Sequence, residues 1–477
     1  MANNISDTYM KTLLKTVYES GVANDKYQSS QFLADMLKEG ADFGKEIKYA
    51  AQYGDGGNFG SEYDLISSNK TTGAQNLEWT MDCGRLVGLF DVSQPEILMS
   101  DTETKAYMDI LANKMSGCFS GMSRTLATYL YGGEAGVIDQ IKSDITISSL
   151  TGVTIPVTSA GALKMDVGTR IVFATAGAAN TAVPKSPLAA SGAYATVTGW
   201  DDESVTVTFE SAFTGVTLYA GDYIELYTAR RGNAYNGIQG LPDIIPSVAD
   251  RTGDAWFKGD GTGYIEQDFR GVDRSIAISK LAGQFVKADS TNTVDPNSEA
   301  LVKLLKKGKR AGGRSEEIKI VINDNSFENL AKELKGNVWQ STNAANAERQ
   351  AATAGKNSIG VAFEEAFTNK LYTDAYCPEK TAYMYRKNDF RFKDVGNVSS
   401  RVLNPVANDS EGKYEIKAVG NQGFNGTVSS QLNVDKLFNV VPNGSNGAGP
   451  LFEISAFIYG NFLSRETAGN GVAKLTA

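Results

Sequence analysis

The residues with the clearest capacity for chemistry are six cations in one short run that contains no acidic residue. They are Lys303, Lys306, Lys307, Lys309, Arg310 and Arg314. Such a run neutralises the charge of a polyanion when it lies against one. It is also typical of a solvated helix face and loop, and we favour this interpretation because runs of charge usually contact water. The sequence leaves both interpretations open, and we predict no other binding residues.

Histidine is absent from all 477 residues. Its absence excludes Ser-His-Asp and Cys-His nucleophile sites and histidine metal centres. It also removes the most common general acid or base, so that only carboxylate or lysine chemistry remains for an enzyme. We therefore predict no catalytic residue, no metal ligand and no cofactor, and we expect a protein that is not an enzyme.

Two further patterns resemble sites but have simpler interpretations. The acidic triplet from Asp201 to Glu203 lies between two predicted strands, where acidic residues commonly form turns. The glycine-rich stretches Gly54–Gly60 and Gly259–Gly263 do not match a dinucleotide fingerprint, and Gly355–Ser358 lacks the upstream glycine of a phosphate loop. We interpret the triplet as a turn and the glycine-rich stretches as flexible turns.

Composition indicates a multidomain protein of ordinary polarity. The length predicts two to four domains, and the net charge of −9 argues against a molecule that attracts nucleic acid over its whole surface. No apolar run has the length of a membrane span, so we expect no membrane partner. The three cysteines, Cys83, Cys118 and Cys377, are too scattered for a disulfide framework and predict buried thiols in a reducing compartment.

The stretch from Ser100 to Gly133 is the element around which the chain is organised. Its apolar residues recur at steps of three or four, the period of an amphipathic helix; they are Tyr107, Ile110, Leu111, Met115, Cys118, Phe119, Met122, Leu126, Tyr129 and Leu130. Ser100 with Glu103 forms a predicted capping box, and glycine ends the helix. We call this element the spine helix. Gly117 and Gly121, four residues apart, predict the close approach of another element.

The segments before the spine helix are poor in apolar residues. Residues 1–40 form a predicted arm with helices at Asp7–Glu19 and Ser30–Glu39. Residues 44–82 form a predicted two-stranded excursion, with strands at Lys45–Tyr53 and Asn76–Asp82. Two-stranded hairpins are marginally stable alone. We therefore expect both segments to project from the body and to gain their burial from neighbouring subunits.

Residues 137–232 predict a compact, inserted β domain, a small antiparallel barrel or sandwich. Its predicted strands are Thr169–Ala174, Tyr194–Gly199, Ser204–Phe209 and Asp222–Tyr227. Mixed α/β sequence resumes after it. The predicted elements there are helices at Asp295–Gly308 and Ser326–Leu334 and strands at Ile318–Ile322, Leu371–Thr373, Thr381–Arg386 and Phe452–Phe462.

Together these segments resemble the major capsid protein of tailed bacteriophages, with the Hong Kong-type shell fold. Arg85–Val92 followed by Pro95–Ser100 is similar to the family's strand into its spine helix, which often ends as Tyr129–Gly133 does here. Gly232–Leu241 is similar to its glycine-rich segment. Later similarities cover a helix, strand and second helix (Leu301–Arg314, Ile318–Ile322, Phe327–Leu330), a hairpin (Tyr372–Pro378, Ala382–Tyr385), and a last strand and tail (Phe457–Phe462, Ala468–Leu475). The order of the segments carries the resemblance.

The resemblance implies an α+β fold and a division of the chain. The implied parts are an N-terminal arm at 1–40, an extended β-hairpin loop at 44–82, a peripheral domain at 83–136 and 390–445, and an axial domain at 280–389 and 446–477, with 137–232 as an added β domain. The arm follows no long scaffolding segment, which predicts a mature form or assembly with a separate scaffold.

The implied function is a virion shell subunit that assembles in the host bacterial cytoplasm into hexamers and pentamers around double-stranded DNA. The implied partners are further copies of the chain, a scaffolding protein, a portal, the packaged DNA and a decoration protein; the basic run would contact the DNA or an acidic scaffold. An encapsulin-like nanocompartment and a phage surface or tail binding protein that uses 137–232 are the alternatives. The enzymatic alternative is a histidine-free carboxylate hydrolase.

Overall fold

The computed structural model describes most of the chain from residue 30 onward, with gaps. The described residues are 30, 32–33, 36–40, 46–54, 61, 75–93, 104–174, 193–231, 234–235, 237–246, 256–257, 264–265, 268–288, 296–311, 318–339, 370–394, 416–418, 422–424, 438–443 and 451–476. The predicted helix Asp7–Glu19, the predicted cap at Ser100, Arg314 and the glycine-rich stretches 259–263 and 355–358 lie outside them.

The described chain contains a few helices and many strands, most of them short. The helices are α1 (Thr104–Gly132), α2 (Ser159–Lys164), α3 (Leu241–Ile244), α4 (Ile278–Leu281), α5 (Pro296–Arg310) and α6 (Asp324–Trp339). The strands of the first half are β1 (Leu37–Gly40), β2 (Glu46–Gly54), β3 (Gln75–Asp82), β4 (Gly84–Ser93), β5 (Val137–Gln140), β6 (Ile145–Thr146), β7 (Val153–Pro156), β8 (Arg170–Ala174), β9 (Ala195–Asp201), β10 (Ser204–Phe209), β11 (Thr217–Leu218), β12 (Tyr223–Leu226), β13 (Arg230–Arg231) and β14 (Ala234–Tyr235).

The second half continues with short strands and one long strand, β27. They are β15 (Trp256–Phe257), β16 (Tyr264–Ile265), β17 (Asp268–Phe269), β18 (Val272–Asp273), β19 (Gln284–Lys287), β20 (Ile318–Ile322), β21 (Leu371–Thr373), β22 (Thr381–Arg386), β23 (Arg391–Asp394), β24 (Ile416–Ala418), β25 (Gln422–Phe424), β26 (Phe438–Asn443), β27 (Leu451–Leu463) and β28 (Gly471–Lys474).

The spine helix is confirmed as α1, and a long sheet lies beside it. The helix ends at Gly132, and Gly133 follows with a φ of 70°, the left-handed conformation of a glycine C-cap. In the sheet, β4 pairs antiparallel with β27 over ten residues, from Gly84 opposite Gly460 to Ser93 opposite Leu451. On its other side β27 pairs with β26 and β23, and β1 pairs parallel with β23. Strand β4 carries the contact with the helix.

The close approach at this contact comes from the strand and not from the helix glycines. A Cβ built on Gly88 of β4 would lie 2.7 Å from both Cys118 Sγ and Met122 Sδ of α1. A Cβ on Gly117 would meet no atom within 4 Å, and one on Gly121 only the Arg124 guanidinium at 3.9 Å. The expectation for Gly117 and Gly121 is therefore wrong within this chain, because the helix presents full-sized side chains to a glycine of the strand.

A second sheet, in the order β19-β28-β22-β20-β21, carries helices α5 and α6. Leu301, Leu304 and Leu305 of α5 are buried against Ile320 of β20 and Met384 of β22. The predicted strands Ile318–Ile322, Leu371–Thr373 and Thr381–Arg386 are confirmed with their predicted bounds. Both predicted helices are confirmed, with ends shifted by one to five residues. Apolar runs that are buried along most of β20 and β22 indicate strands, and the amphipathic period of α5 indicates a helix.

A third sheet, in the antiparallel order β5-β12-β8-β9-β10-β7, comes from residues 137–226. Phe173, Phe209 and Phe213 pack together at its centre. Just beyond β5, the Lys142 amide donates to the Pro156 carbonyl at the end of β7, so the two edges of the sheet approach each other. The predicted strands at 169–174, 194–199, 204–209 and 222–227 are confirmed within two residues at each end.

The N-terminal segment differs from its prediction. The helix expected at Ser30–Glu39 is wrong over its last three residues, because residues 37–40 form strand β1 beside β23, whereas residues 32–33 are helical. Phe32 is fully buried against Tyr131, Tyr385 and Phe390. The described end of the arm thus takes its burial from its own chain, and tertiary pairing overrides local helix propensity.

The hairpin of β2 and β3 is confirmed, but one of its faces packs on its own chain. Trp79 is 2% exposed and stacks with Tyr49 at a ring distance of 6.1 Å. Met81 and Ala51 on the same face are also buried. The opposite face carries exposed polar residues, among them Lys48, which pairs with Glu78 at 2.7 Å. The expectation that the whole hairpin projects is wrong for residues 46–54 and 75–82.

Candidate functional site: a basic helix face and two buried junctions

The predicted basic run forms the solvent face of α5. The helix is amphipathic, because its leucines and Gly308 face the second sheet while the cations point outward. Basic residues in the last turn also complement the negative end of the helix dipole. This gives the cations a structural role that requires no ligand.

The cations of α5 divide into two groups. Lys303 pairs with Glu299 one turn earlier at 2.7 Å, and Lys307 Nζ donates to the Phe285 carbonyl at 2.8 Å. Lys306, Lys309 and Arg310 are exposed and have no hydrogen bond or ion pair with the rest of the described chain. Their spacing places these three on one side of the helix. Arg314 is not among the described residues. The structure therefore brings together three unpaired cations from the predicted six.

The acidic triplet is a turn. Asp201 Oδ1 accepts a hydrogen bond from the Asp202 amide at 2.8 Å, which is the local bonding that favours Asp in turns. Glu203 pairs with Lys142 at 3.4 Å. No group of three or more potential metal ligands occurs within the part of the chain that the structure describes.

The three thiols are held in their protonated form. Burial raises the pKa of Cys83 to about 11, with a smaller contribution from the negative charge of Asp82. Burial also raises the pKa of Cys118, and it raises that of the fully buried Cys377 well above the ordinary value. Because the thiolate is the nucleophile, none of these residues is activated. The expected burial is complete for Cys377 but only partial for Cys83 and Cys118.

Lysine chemistry, one of the two options that the missing histidine leaves open, has one buried candidate among the described residues. Lys164 is 4% exposed, and its Nζ donates to the Ile138 carbonyl at 3.1 Å. Burial lowers the pKa of Lys164, while the nearby charge of Asp139 opposes the shift. Burial raises the pKa of Asp139 in turn, although the Thr158 amide donates to it at 2.5 Å. Enclosed in this way, Lys164 joins α2 to β5.

A buried carboxylate joins three distant segments, and we call this site the Asp374 junction. Asp374 Oδ2 accepts hydrogen bonds from Ser30 Oγ at 2.5 Å, from the Phe32 amide at 3.2 Å and from the Tyr131 hydroxyl at 2.9 Å. Its Oδ1 accepts from the Tyr376 amide at 2.9 Å. The junction ties the N-terminal segment and the end of α1 to the loop after β21.

A buried guanidinium joins the hairpin to the body, and we call this site the Arg270 junction. Arg270 donates to Gln239 Oε1 at 2.8 Å, to the Tyr49 hydroxyl at 2.9 Å and to the Phe462 carbonyl at 2.7 Å. Its own carbonyl accepts from the Thr80 amide at 2.9 Å. Sequence patterns missed both junctions. The one local signal is the position of Asp374 directly after a strand, which is typical of a turn.

Comparison with known proteins gives a likeness of fold. No family model matches the sequence, and no curated protein matches it. A chain of the cyanophage A-1(L) capsid asymmetric unit matches with a TM-score of 0.50 and 10% identity, covering 99% of this chain and 98% of that chain. A chain from the capsid of the native GTA particle matches with a TM-score of 0.41 and 9% identity, covering 97% of this chain and 94% of that chain. A chain from the capsid of Myoviridae phage XM1 matches with a TM-score of 0.40 and 8% identity, covering 97% of both chains.

The likeness to the cyanophage capsid chain extends over almost the whole length of both chains. This chain therefore has the mixed α and β fold of a phage capsid chain, and the resemblance found in the sequence is confirmed for the overall fold. Among the described helices, none combines the length and the apolar character needed to cross a bilayer.

Proposed function

We propose that this chain is a structural shell subunit and not an enzyme. It self-assembles into hexamers and pentamers of an icosahedral-type capsid that encloses double-stranded DNA. The observation that carries the proposal is the end-to-end likeness to the cyanophage capsid chain. The fully buried, protonated Cys377 and the enclosed Lys164 support a structural role, since both groups have perturbed pKa values and face the core.

The proposal includes a division of labour along the chain. Residues 83–136 and 390–445 form the peripheral domain, 280–389 and 446–477 the axial domain, and 137–232 an added β domain. The third sheet supports this last assignment, because its pairings stay within residues 137–226. The arm at 1–40 and the loop at 44–82 contact neighbouring copies. The capsid assembles in a host bacterial cytoplasm with a scaffolding protein and a portal, and it accepts a decoration protein.

Electron microscopy of the purified protein under assembly conditions tests the shell proposal. We expect closed particles with sixfold and fivefold clusters that sediment as megadalton species. Leu126→Ala, at a buried position of α1, should lose about 2–5 kcal/mol of unfolding free energy and most of the particle yield. Leu126→Met, which conserves volume, is the matched control and should assemble. A stable monomer or small oligomer under all conditions would exclude a shell, and shells that form and load only protein would favour the nanocompartment.

We further propose that Lys306, Lys309 and Arg310 contact the packaged DNA. Their support is that they are exposed, share one side of α5 and lack partners among the described residues. Each phosphate contact contributes about 0.9 to the slope of log affinity against log salt for duplex DNA. The triple variant to glutamine should therefore lower this slope by about 2–3, while Lys303→Gln, whose cation is already paired, should leave it nearly unchanged. An unchanged slope with failed co-assembly with scaffold would assign the face to an acidic scaffold instead.

A further inference from the structure

The turn that carries Arg270 has a backbone that arginine disfavours. Residues 270 and 271 form the two-residue connection between β17 and β18, where Phe269 pairs with Val272. The φ of Arg270 is 54° and that of Gly271 is 78°. Connections of this kind favour Asn, Asp or Gly at both positions, because a left-handed conformation brings Cβ close to the backbone. An arginine held there indicates that its side chain performs a task that glycine cannot.

The Arg270 side chain reaches three separate segments. Its guanidinium binds Tyr49 on β2, Gln239 before α3 and the Phe462 carbonyl on β27. It is 9% exposed and lies 4.9 Å above the Phe269 ring. The planar guanidinium presents several donors in a fixed geometry, so one side chain sets the angles among the three segments.

The packing around this turn also contacts the hairpin beside Tyr49. Trp79 of β3 meets the Phe269 ring edge-on at 5.6 Å, and the Arg274 guanidinium lies 5.8 Å from the Trp79 ring. Both strands of the hairpin thus meet the 268–274 turn, β2 through the Tyr49 hydroxyl and β3 through Trp79 and the Thr80 amide. Two-stranded hairpins lack a core of their own, so their contacts with the body set their direction. Besides this turn, Lys280 Nζ donates to the Tyr53 carbonyl and Asn461 donates to the Asp82 carbonyl.

We propose that Arg270 is a positioning residue that fixes the direction in which the β2–β3 hairpin leaves the body. If the chain is the shell subunit proposed above, this direction determines where the hairpin meets the next copy. Arg270 then acts on assembly through the hairpin and not through the stability of the subunit. The partner that the hairpin contacts is a second copy of this chain.

Amide hydrogen exchange of the full chain before assembly tests the proposal. Arg270→Gly keeps a residue that favours the left-handed turn but removes all three side-chain bonds. We expect exchange in β2 and β3 to accelerate about tenfold or more, with exchange in β20 and β22 unchanged. Lys48→Gln, which removes a surface pair on the opposite face of the same hairpin, is the control and should leave exchange unchanged. Tyr49→Phe removes one of the three bonds and should give a smaller acceleration confined to the hairpin.

Three results would overturn the inference. Unchanged exchange in the hairpin of Arg270→Gly would show that Arg270 does not hold it, and equal acceleration in β20 and β22 would make Arg270 a general stabilising residue. Arg270→Lys keeps the charge without the planar donors, so its full recovery of wild-type exchange would also contradict the three-way contact. Particle yield is measured in parallel. A wild-type chain that forms no particles contradicts the shell function, whereas the exchange results stand independently.

Discussion

The Asp374 and Arg270 junctions solve the same problem with opposite charges. Each holds a segment that lacks its own core, the N-terminal segment in one case and the hairpin in the other. Asp374 is a buried anion whose four bonds come from neutral hydroxyls and amides. Arg270 is a buried cation that donates to a neutral amide, hydroxyl and carbonyl oxygen. Oriented dipoles therefore compensate both charges.

The surroundings of the two junctions differ. The Asp374 junction adjoins the aromatic cluster of Phe32, Tyr131 and Tyr385, which links α1 to the second sheet. The Arg270 junction lies at the root of a two-stranded hairpin whose other face is exposed. A buried polar group without its partner is costly wherever water cannot replace that partner. Loss of Asp374 should therefore weaken the whole fold, and loss of Arg270 mainly the hairpin.

Asp374→Ala should give the largest effect. It leaves two buried hydroxyls and two buried amides without their acceptor, which we expect to lower the free energy of unfolding by about 3–5 kcal/mol. Chemical denaturation monitored by tryptophan fluorescence measures the change. Asp374→Asn, which keeps the shape and one oxygen acceptor, is the matched control and should lose less. A loss below about 1 kcal/mol for the alanine variant would make the two junctions equivalent in energy.

Removing one hydroxyl from each junction tests the same comparison with smaller expected changes in the free energy of unfolding. Tyr131→Phe deletes a buried donor to the carboxylate, and we expect it to cost about 1–3 kcal/mol. Tyr49→Phe deletes an acceptor of Arg270 near the surface and should cost about 1 kcal/mol or less. Denaturation midpoints of both variants, measured under one set of conditions, test the order. The reverse order would contradict the distinction between a core junction and a hairpin root.

Alkaline pH should weaken the Asp374 junction. Burial, and then the charge of Asp374, raises the pKa of Tyr131 well above 10. The folded state holds this proton more tightly than the unfolded chain. The contribution of Tyr131 to the free energy of unfolding is therefore complete below pH 10 and is lost as the pH rises above it. When the pH rises from about 8 to about 11, the free energy of unfolding of the wild type should fall by about 1 kcal/mol more than that of Tyr131→Phe. Tyr129, with a pKa raised to about 12 by burial, titrates in both proteins and does not affect the difference. Equal losses would show that Tyr131 is not held in its neutral form.

Sequence patterns predicted the elements whose signal is local. Strand β10 and helix α5 follow from alternation and amphipathic period, and both are present close to their predicted bounds. The basic face of α5 was equally accessible, because charge shows directly in the sequence. The division of these cations into paired and unpaired groups could not be predicted from the sequence, because the partner of Lys307 is a carbonyl 22 residues away.

The predictions that failed depended on contacts between distant segments. Residues 37–40 have helix-forming side chains but form β1 because β23 offers an edge. Gly121 suggested close packing by its spacing, whereas the residue that permits it is Gly88 on the facing strand. Neither junction has a sequence signature, because a buried Asp or Arg is distinguished only by the groups that surround it.

The pairing of β4 with β27 has a consequence for how the chain folds. Asn461 of β27 donates a hydrogen bond to the carbonyl of Asp82, two residues before β4, although 379 residues separate them. Closing so long a loop costs chain entropy before any contact compensates it, and contacts of this kind slow folding. Strands β9 and β10, in contrast, are joined by a tight turn. We expect pulse-labelled hydrogen exchange to show protection of β9 and β10 before β4 and β27, and simultaneous protection would contradict this order. A newly made chain would then carry a finished third sheet while the strands beside the spine helix are still apart, which delays the appearance of an assembly-competent subunit.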